Sequence, residues 1–252
     1  MATALWRPLP VFMLTIRQFF GGKSVFVVTV LAFLPALFGM IYWFDTGDNP
    51  PAYFLSENIY RPLVIATLLP IMVLILATGA LGNEIEDSTL PYLTLKPIGR
   101  LRIVVEKLLA TLVVCIPIIL AGLIATYVIV FRGDAGKSDS LQFLWALLAS
   151  AVAGIVAYSA VFLLVSLFVS RALLVGIVYA LVWESLLGRY LTGLKIASIR
   201  HYTESILVGM ADDSDIALKG ATGVVASFIV IGVVTVIAVL ISTWRLRNLD
   251  LE

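Results

Sequence analysis

The sequence predicts an all-α, polytopic membrane protein, and three observations support that prediction. Hydrophobic residues make up 61% of the 252 residues, and the mean hydropathy is +1.07. Charged residues make up only 13%, against about 25% in an ordinary soluble domain. Several charge-free runs approach or exceed the roughly 20 residues that a helix needs to cross a bilayer. These runs are too uniformly apolar for the alternating strands of a membrane barrel, so they predict helices.

The chain is predicted to cross the membrane six times. Charge-free length places the spans at 25–44, 62–81, 108–131, 141–170, 172–188 and 221–244. The fourth is longer than one crossing needs, so its helix is expected to tilt or to project into water. A tight turn at Ser170-Arg171 separates it from the fifth, because the two runs together are too long for one crossing. Glu184 lies near the end of the fifth span, and we expect it at the outer interface rather than at the midplane.

Residues 8–23 predict a short amphipathic helix that lies in the cytoplasmic membrane interface. Their apolar residues recur at spacings of three and four, at Leu9, Phe12, Met13, Ile16, Phe19 and Phe20. The Gly21-Gly22 pair predicts a sharp turn into the first span. A disordered apolar tail is the alternative interpretation. No small-residue cleavage site follows, so we do not expect removal as a signal peptide.

Residues 189–220 form a long predicted outer segment between the fifth and sixth spans. The segment is too polar to span the membrane and too apolar for a free loop. Short amphipathic helices that re-enter the outer leaflet, or lie on it, would fit this pattern. It contains His201, the only histidine. A single histidine without a cluster of other ligands makes a weak metal site, so we expect an interface residue.

The distribution of Lys and Arg predicts that both termini are cytoplasmic. In that orientation the cytoplasmic segments hold 10 of these residues and the outer segments hold 7. Most acidic residues of the loops fall on the outer side. The expected location is a cell membrane, either a bacterial-type inner membrane or a plasma membrane, crossed several times.

The sequence predicts no catalytic, cofactor-binding or metal-binding residues on this chain, and we do not expect an enzyme. Fragments of a phosphate loop occur at Gly21–Ser24 and Ala135–Ser138, but Arg17 and Phe131 stand where the pattern requires glycine. A net charge of +1 gives no general attraction to nucleic acid. Cys115 lies inside an apolar run and is interpreted as a small core residue.

A charged segment at Gly82–Lys107 stands out between the second and third spans, because it holds eight charges. Acidic residues come first and basic residues follow. Pro97 and Gly99 predict a break between a short helix and the start of the third span. Arg102 and Glu106 have the spacing of an ion pair on one helix. This order favours a docking helix, with an ordinary positive-inside loop as the alternative.

The stretch EIEDSTLPYLTLKPIGRLRIVVEK resembles the motif that follows the second span of ABC-2-type transporter permeases. The matching residues are Glu84, Glu86, Ser88, Thr89, Leu90, Leu93, Pro97, Arg100 and Lys107. Ser88 replaces the more usual glycine, and Lys96 stands where Arg or Ser is common. The likeness extends to the whole layout, with an N-terminal interface helix, six spans and amphipathic segments before the last span.

The resemblance implies that this chain is the membrane-spanning subunit of an ATP-driven transporter, and it favours export. In such transporters two permease copies form the translocation path, as a homodimer or a paralogous heterodimer. Two separate ABC ATPase subunits bind ATP-Mg, and membrane lipid is the other expected partner. Segment 84–100 would be the coupling helix, seated in a groove of the ATPase. The residues implied in that contact are Glu84, Glu86, Asp87, Ser88, Thr89, Leu90, Leu93, Pro97 and Arg100.

Two other functions are compatible with the same sequence. The chain could be a non-enzymatic membrane scaffold that uses the inner helix to hold a soluble partner. It could also be a stand-alone carrier or channel. The nearly uncharged spans favour amphiphilic or lipid-like cargo only weakly.

Overall fold

The computed structural model describes most of the chain. The described ranges are 10–44, 50–86, 99–169, 171–179, 198–211, 216, 218 and 220–248. For residues 82–86, only the backbone is described. Within these ranges every regular element is a helix. The all-α prediction is therefore confirmed for the part of the chain that the structure describes.

The helices in the described part of the chain follow in this order. The first half of the chain forms α1 (Pro10–Gly21), α2 (Ser24–Gly39) with a 3-10 turn at Met40–Trp43, α3 (Pro51–Tyr53), the π-helix Phe54–Leu68 and α4 (Leu69–Glu86). The second half forms α5 (Arg100–Val130), α6 (Ser138–Phe168), α7 (Ala172–Val178), α8 (Ile199–Ala211) and α9 (Val224–Arg247).

Five stretches of helix are long and apolar enough to cross a membrane. They are Ser24–Trp43, Pro51–Leu81, Arg100–Val130, Ser138–Phe168 and Val224–Arg247. A polytopic membrane protein is therefore confirmed. The predicted span at 172–188 is described only as far as Tyr179, so the sixth crossing stays a prediction. Glu184 lies outside the described residues.

The second crossing begins earlier than its charge-free run. The predicted span covers 62–81, whereas the helical stretch starts at Pro51 and passes through the π-helix. The polar residues Glu57 and Arg61 interrupt the apolar pattern but form an ion pair with each other. Because each charge is compensated inside the structure, the helix continues through them.

The bundle has two ends, which three contacts define. The start of α1 is bonded to Glu106, in the second turn of α5. At the other end of α5, the indole nitrogen of Trp43 donates to the carbonyl of Ile129 at 2.9 Å. Gln142 near the start of α6 donates to the carbonyl of Met210 in α8 at 3.3 Å. We call these the α1 end and the α8 end.

The second and fourth crossings form the centre of the bundle. In their most apolar windows 72% and 67% of the residues are buried, against 28% for the first crossing and 17% for the last. The exposed side chains of α2 and α9 are large and apolar, as at Phe26 and Ile229. These faces suit the hydrocarbon of a bilayer or a second membrane subunit.

Helices α2 and α5 approach each other closely at Gly122. A Cβ atom at this position would overlap the carbonyl group of Ala32. Small residues allow such close contact between membrane helices. The guanidinium of Arg132 also lies 5.4 Å from the ring centre of Trp43 at the α8 end. Helices α2 and α5 therefore pack as a pair along much of their length.

Candidate functional site

The structure describes where the predicted coupling segment begins and ends. Helix α4 runs through Glu86, and α5 begins at Arg100 after the extended backbone of Gly99. Glu84 and Glu86 are thus placed on helical backbone, and Arg100 is partly buried in the first turn of α5. The other predicted contact residues lie outside the described residues: Asp87, Ser88, Thr89, Leu90, Leu93 and Pro97. Both ends of the segment are therefore at the α1 end of the bundle.

Glu106 is a buried carboxylate in the second turn of α5. Its side-chain atom Oε2 accepts hydrogen bonds from the backbone N–H groups of Val11 at 2.9 Å and Phe12 at 3.0 Å. These N–H groups belong to the first turn of α1, where an α-helix has no partners of its own for them. The carboxylate also lies at the positive end of the α1 dipole. Glu106 therefore caps α1 from a different helix.

The second oxygen of Glu106 is occupied as well. Arg102 Nε donates to Oε1 at 2.6 Å, which confirms the predicted helical pair. The Arg102 side chain is half exposed, whereas that of Glu106 is almost completely buried. A buried carboxylate is tolerated only when its oxygens are paired, and here both are.

Lys107 is the next residue along α5 and contacts a different helix. It is fully buried, and its Nζ donates to the carbonyl of Ala80 in α4. A buried ammonium group requires such acceptors because it loses its water on burial. Adjacent residues of α5 thus hold α1 on one side and α4 on the other. We call Glu106, Lys107 and their partners Val11, Phe12 and Ala80 the basal clasp.

An apolar cluster surrounds the basal clasp and joins five helices. Its buried members are Val11, Leu81, Ile103, Val104, Leu108, Ala160, Leu163, Leu167, Ala238 and Leu246. They come from α1, α4, α5, α6 and α9. At the same end, the guanidinium of Arg245 lies 5.1 Å from the ring centre of Phe168. The helix ends that flank the coupling segment are therefore packed together as one unit.

Only part of the basal clasp could be predicted from the sequence. The i, i+4 spacing of Arg102 and Glu106 predicted their ion pair. Nothing local indicated that Glu106 also caps a helix 95 residues away along the chain. The available signal was a Glu-Lys pair directly before an apolar run, where both side chains must enter the bundle or reach out to water.

His201 has a local hydrogen-bonding role in the described structure. Its Nε2 lies 3.1 Å from the hydroxyl oxygen of Thr222. Among the described residues, no group of three or more His, Cys, Asp or Glu side chains is arranged to hold a metal ion. His201 is therefore placed as a polar contact between α8 and the residues just before α9.

Comparison with protein families gives a match over most of the chain. A family model described as ABC-2 family transporter protein matches residues 23–185, which is more than half of the chain. The matched region includes α2 to α7 and the whole charged segment between α4 and α5. It leaves α1, α8 and α9 outside. The search of curated proteins returned no match.

Proposed function

This chain belongs to the ABC-2 family of transporter proteins and is a membrane subunit of an ABC transporter; from this premise we propose that it exports its substrate under the control of two separate ATPase subunits. Two copies of the permease form the translocation path, as a homodimer or a paralogous heterodimer. ATP-Mg binds to the ATPase partners. Both termini lie in the cytoplasm, so the α1 end faces the ATPase.

The basal clasp is the observation that carries this proposal. The coupling segment 84–100 joins the end of α4 to the start of α5. Lys107 ties α5 to α4, and Glu106 ties α5 to α1. A displacement of the segment by an ATPase would therefore move three helices together. An unsupported loop would absorb the same displacement in its own backbone.

The peripheral helices support the proposed dimer. Helices α2 and α9 are the least buried of the candidate crossings. Both expose large apolar side chains, such as Phe33 in α2 and Ile237 in α9. In a membrane these faces contact either lipid or a second permease copy. Two copies packed along such faces would place two coupling segments beside two ATPase subunits.

The proposal is tested by charge reversal in the coupling segment. The chain is purified together with a candidate ABC ATPase subunit, and ATP hydrolysis by that subunit is measured with and without the permease. We expect Glu84→Arg combined with Glu86→Arg to abolish stimulation of hydrolysis, while membrane insertion stays normal. The control is Asp134→Arg, which reverses an exposed acidic residue at the α8 end. Wild-type stimulation by the double variant would contradict the proposal.

The two alternative functions give different results in the same system. A scaffold would bind a soluble partner but show no nucleotide-dependent change in distance between the cytoplasmic ends of α4 and α7. A stand-alone carrier or channel would show flux in liposomes that contain this chain alone. Either result would replace the ATP-driven transporter as the explanation.

A further inference from the structure

A second cluster of charges lies at the α8 end of the bundle. It contains Glu57 and Arg61 of the π-helix together with Arg200 and Glu204 of α8. Arg61 and Glu204 are the most buried members, with side chains about one-tenth exposed. Charged side chains inside membrane bundles are rare, and they commonly mark functional sites. The sequence had placed these residues in segments facing the outer solution.

Glu204 connects the two helices because each of its oxygens faces a different arginine. Oε1 accepts a hydrogen bond from Arg200 Nε at 2.6 Å, within α8. Oε2 lies 3.8 Å from Arg61 Nε, across the gap to the π-helix. Arg61 also pairs with Glu57 on its own helix. The strong contacts are thus within each helix, and the contact between the helices is the longer one.

Helix α8 packs against the other helices at the end of the bundle that bears its name. Thr203, Ile206 and Leu207 are fully buried on its inner face. A Cβ atom on Gly154 of α6 would lie 3.3 Å from the Thr203 side chain, so the two helices are in close contact. With 13 residues, α8 is about 20 Å long and too short to cross a membrane. It closes the bundle from one side rather than spanning it.

The π-helix is anchored to α6 independently of α8. Tyr60 precedes Arg61 and is fully buried, and its hydroxyl lies 2.7 Å from Ser150 Oγ. The same hydroxyl donates to the carbonyl of Leu147 at 3.1 Å. Separating α8 from the π-helix would therefore leave the π-helix in place. Of the three ion pairs of this cluster in the described part of the chain, Arg61–Glu204 is the one that joins the two helices and would break.

We propose that Arg61 and Glu204 form a latch that holds α8 across the α8 end of the bundle, and that this end opens when the latch breaks. A buried ion pair contributes little net stability compared with apolar residues of the same size. What matters for opening is that each charge keeps a partner on its own helix after the two helices separate. Glu57 remains beside Arg61, and Arg200 remains beside Glu204. The open state therefore leaves neither charge isolated. The direction of opening, toward the outer solution, rests on the proposed function.

The latch is tested with one reporter cysteine on the inner face of α8. Thr203→Cys is nearly isosteric, and Cys115→Ser removes the only other thiol. The full chain is reconstituted in vesicles without an ATPase, and labelling by a membrane-impermeant thiol reagent is timed. We expect slow labelling of this parent protein. Arg61→Gln and Glu204→Gln should each accelerate labelling about tenfold, the lower range for coupling between close charge pairs.

A double-mutant cycle separates the latch from a general loss of packing. If the two residues act through each other, the combined variant labels no faster than either single variant. Arg61→Lys keeps the charge and should label nearly as slowly as the parent. Lys137→Gln is the matched control, because it breaks an exposed ion pair with Asp134 at the same end. It should leave the rate unchanged.

The outcomes for the latch and for the proposed function are distinct. Parent-like labelling of both neutral variants, fast labelling of the parent, or additive effects in the cycle would overturn the latch. None of these results depends on an ATPase. Adding the ATPase subunit with ATP should accelerate labelling of the parent. Failure of that step alone, with the cycle intact, would count against ATP coupling and leave the latch standing.

Discussion

Replacing Glu106 by alanine is expected to release helix α1 from the base of α5. The substitution removes the acceptor for the N–H groups of Val11 and Phe12 and the charge at the positive end of the helix. It leaves Pro10 at the first helical position, where no N–H is required. Among the described residues, no further hydrogen bond or ion pair joins α1 to another helix, so its docking there would depend on apolar packing.

The structure allows the size of this effect to be worked out. A hydrogen bond to a charged group contributes about 1.5–3 kcal/mol. Two such bonds would give roughly 3 kcal/mol at the lower bound, which applies because water reaches the amides once α1 lifts. This corresponds to a decrease on the order of 100-fold in the docking equilibrium constant. With a change of this size, α1 would be detached from α5 for a measurable fraction of the time.

Electron paramagnetic resonance of a spin label on α1 measures the release. Met13 is half exposed, so a label at Met13→Cys in a Cys115→Ser background should not disturb the packing. We expect a mobile component in the spectrum of Glu106→Ala. The comparison variant is Arg102→Gln, which removes the half-exposed partner of Oε1 but keeps both bonds from α1 to Oε2, so α1 should stay docked. Identical spectra for the parent and a correctly folded Glu106→Ala protein would refute the capping role.

Two further substitutions test the packing that positions the site. Gly122→Ala should lower the melting temperature, because its methyl group would overlap the Ala32 carbonyl at a cost of about 1–3 kcal/mol. Gly232→Ala, which has open space around it, should not, and equal melting temperatures would contradict the close approach. Tyr60→Phe should cost about 1 kcal/mol in thermal unfolding, because Ser150 keeps its own bond to a backbone carbonyl. A much larger loss would mean that the Tyr60 hydroxyl has a role beyond this bond.

Much of the fold could be predicted because a bilayer constrains each membrane-spanning segment separately. A helix in lipid must satisfy its own backbone, so charge-free length alone located the crossings that the structure describes. The Arg102–Glu106 pair was predictable for a similar reason, since four residues make one helical turn. The same local rule missed the beginning of the second crossing at Pro51, where Glu57 and Arg61 compensate each other inside the helix.

Residues 189–220 contain a feature that the local sequence pattern did not predict. Their mixture of charge and apolar character predicted helices at or in the outer leaflet. The structure forms α8 within this segment and buries Glu204 against Arg61, 143 positions away in the chain. A charge that looks solvent-facing in sequence can be buried when a distant residue supplies its partner. No periodicity in either segment contains that information.

The sequence by itself determined the class of protein, the approximate positions of the five described crossings and the position of the charged segment, because hydrophobic length and charge are properties of consecutive residues. Only the tertiary structure decided which charges are paired across helices. It assigned Glu106 to α1, Lys107 to α4 and Glu204 to Arg61. The physical reason is the cost of burying a charge without a partner. Each buried charge fixes which helix must stand beside it, and that choice is made in three dimensions.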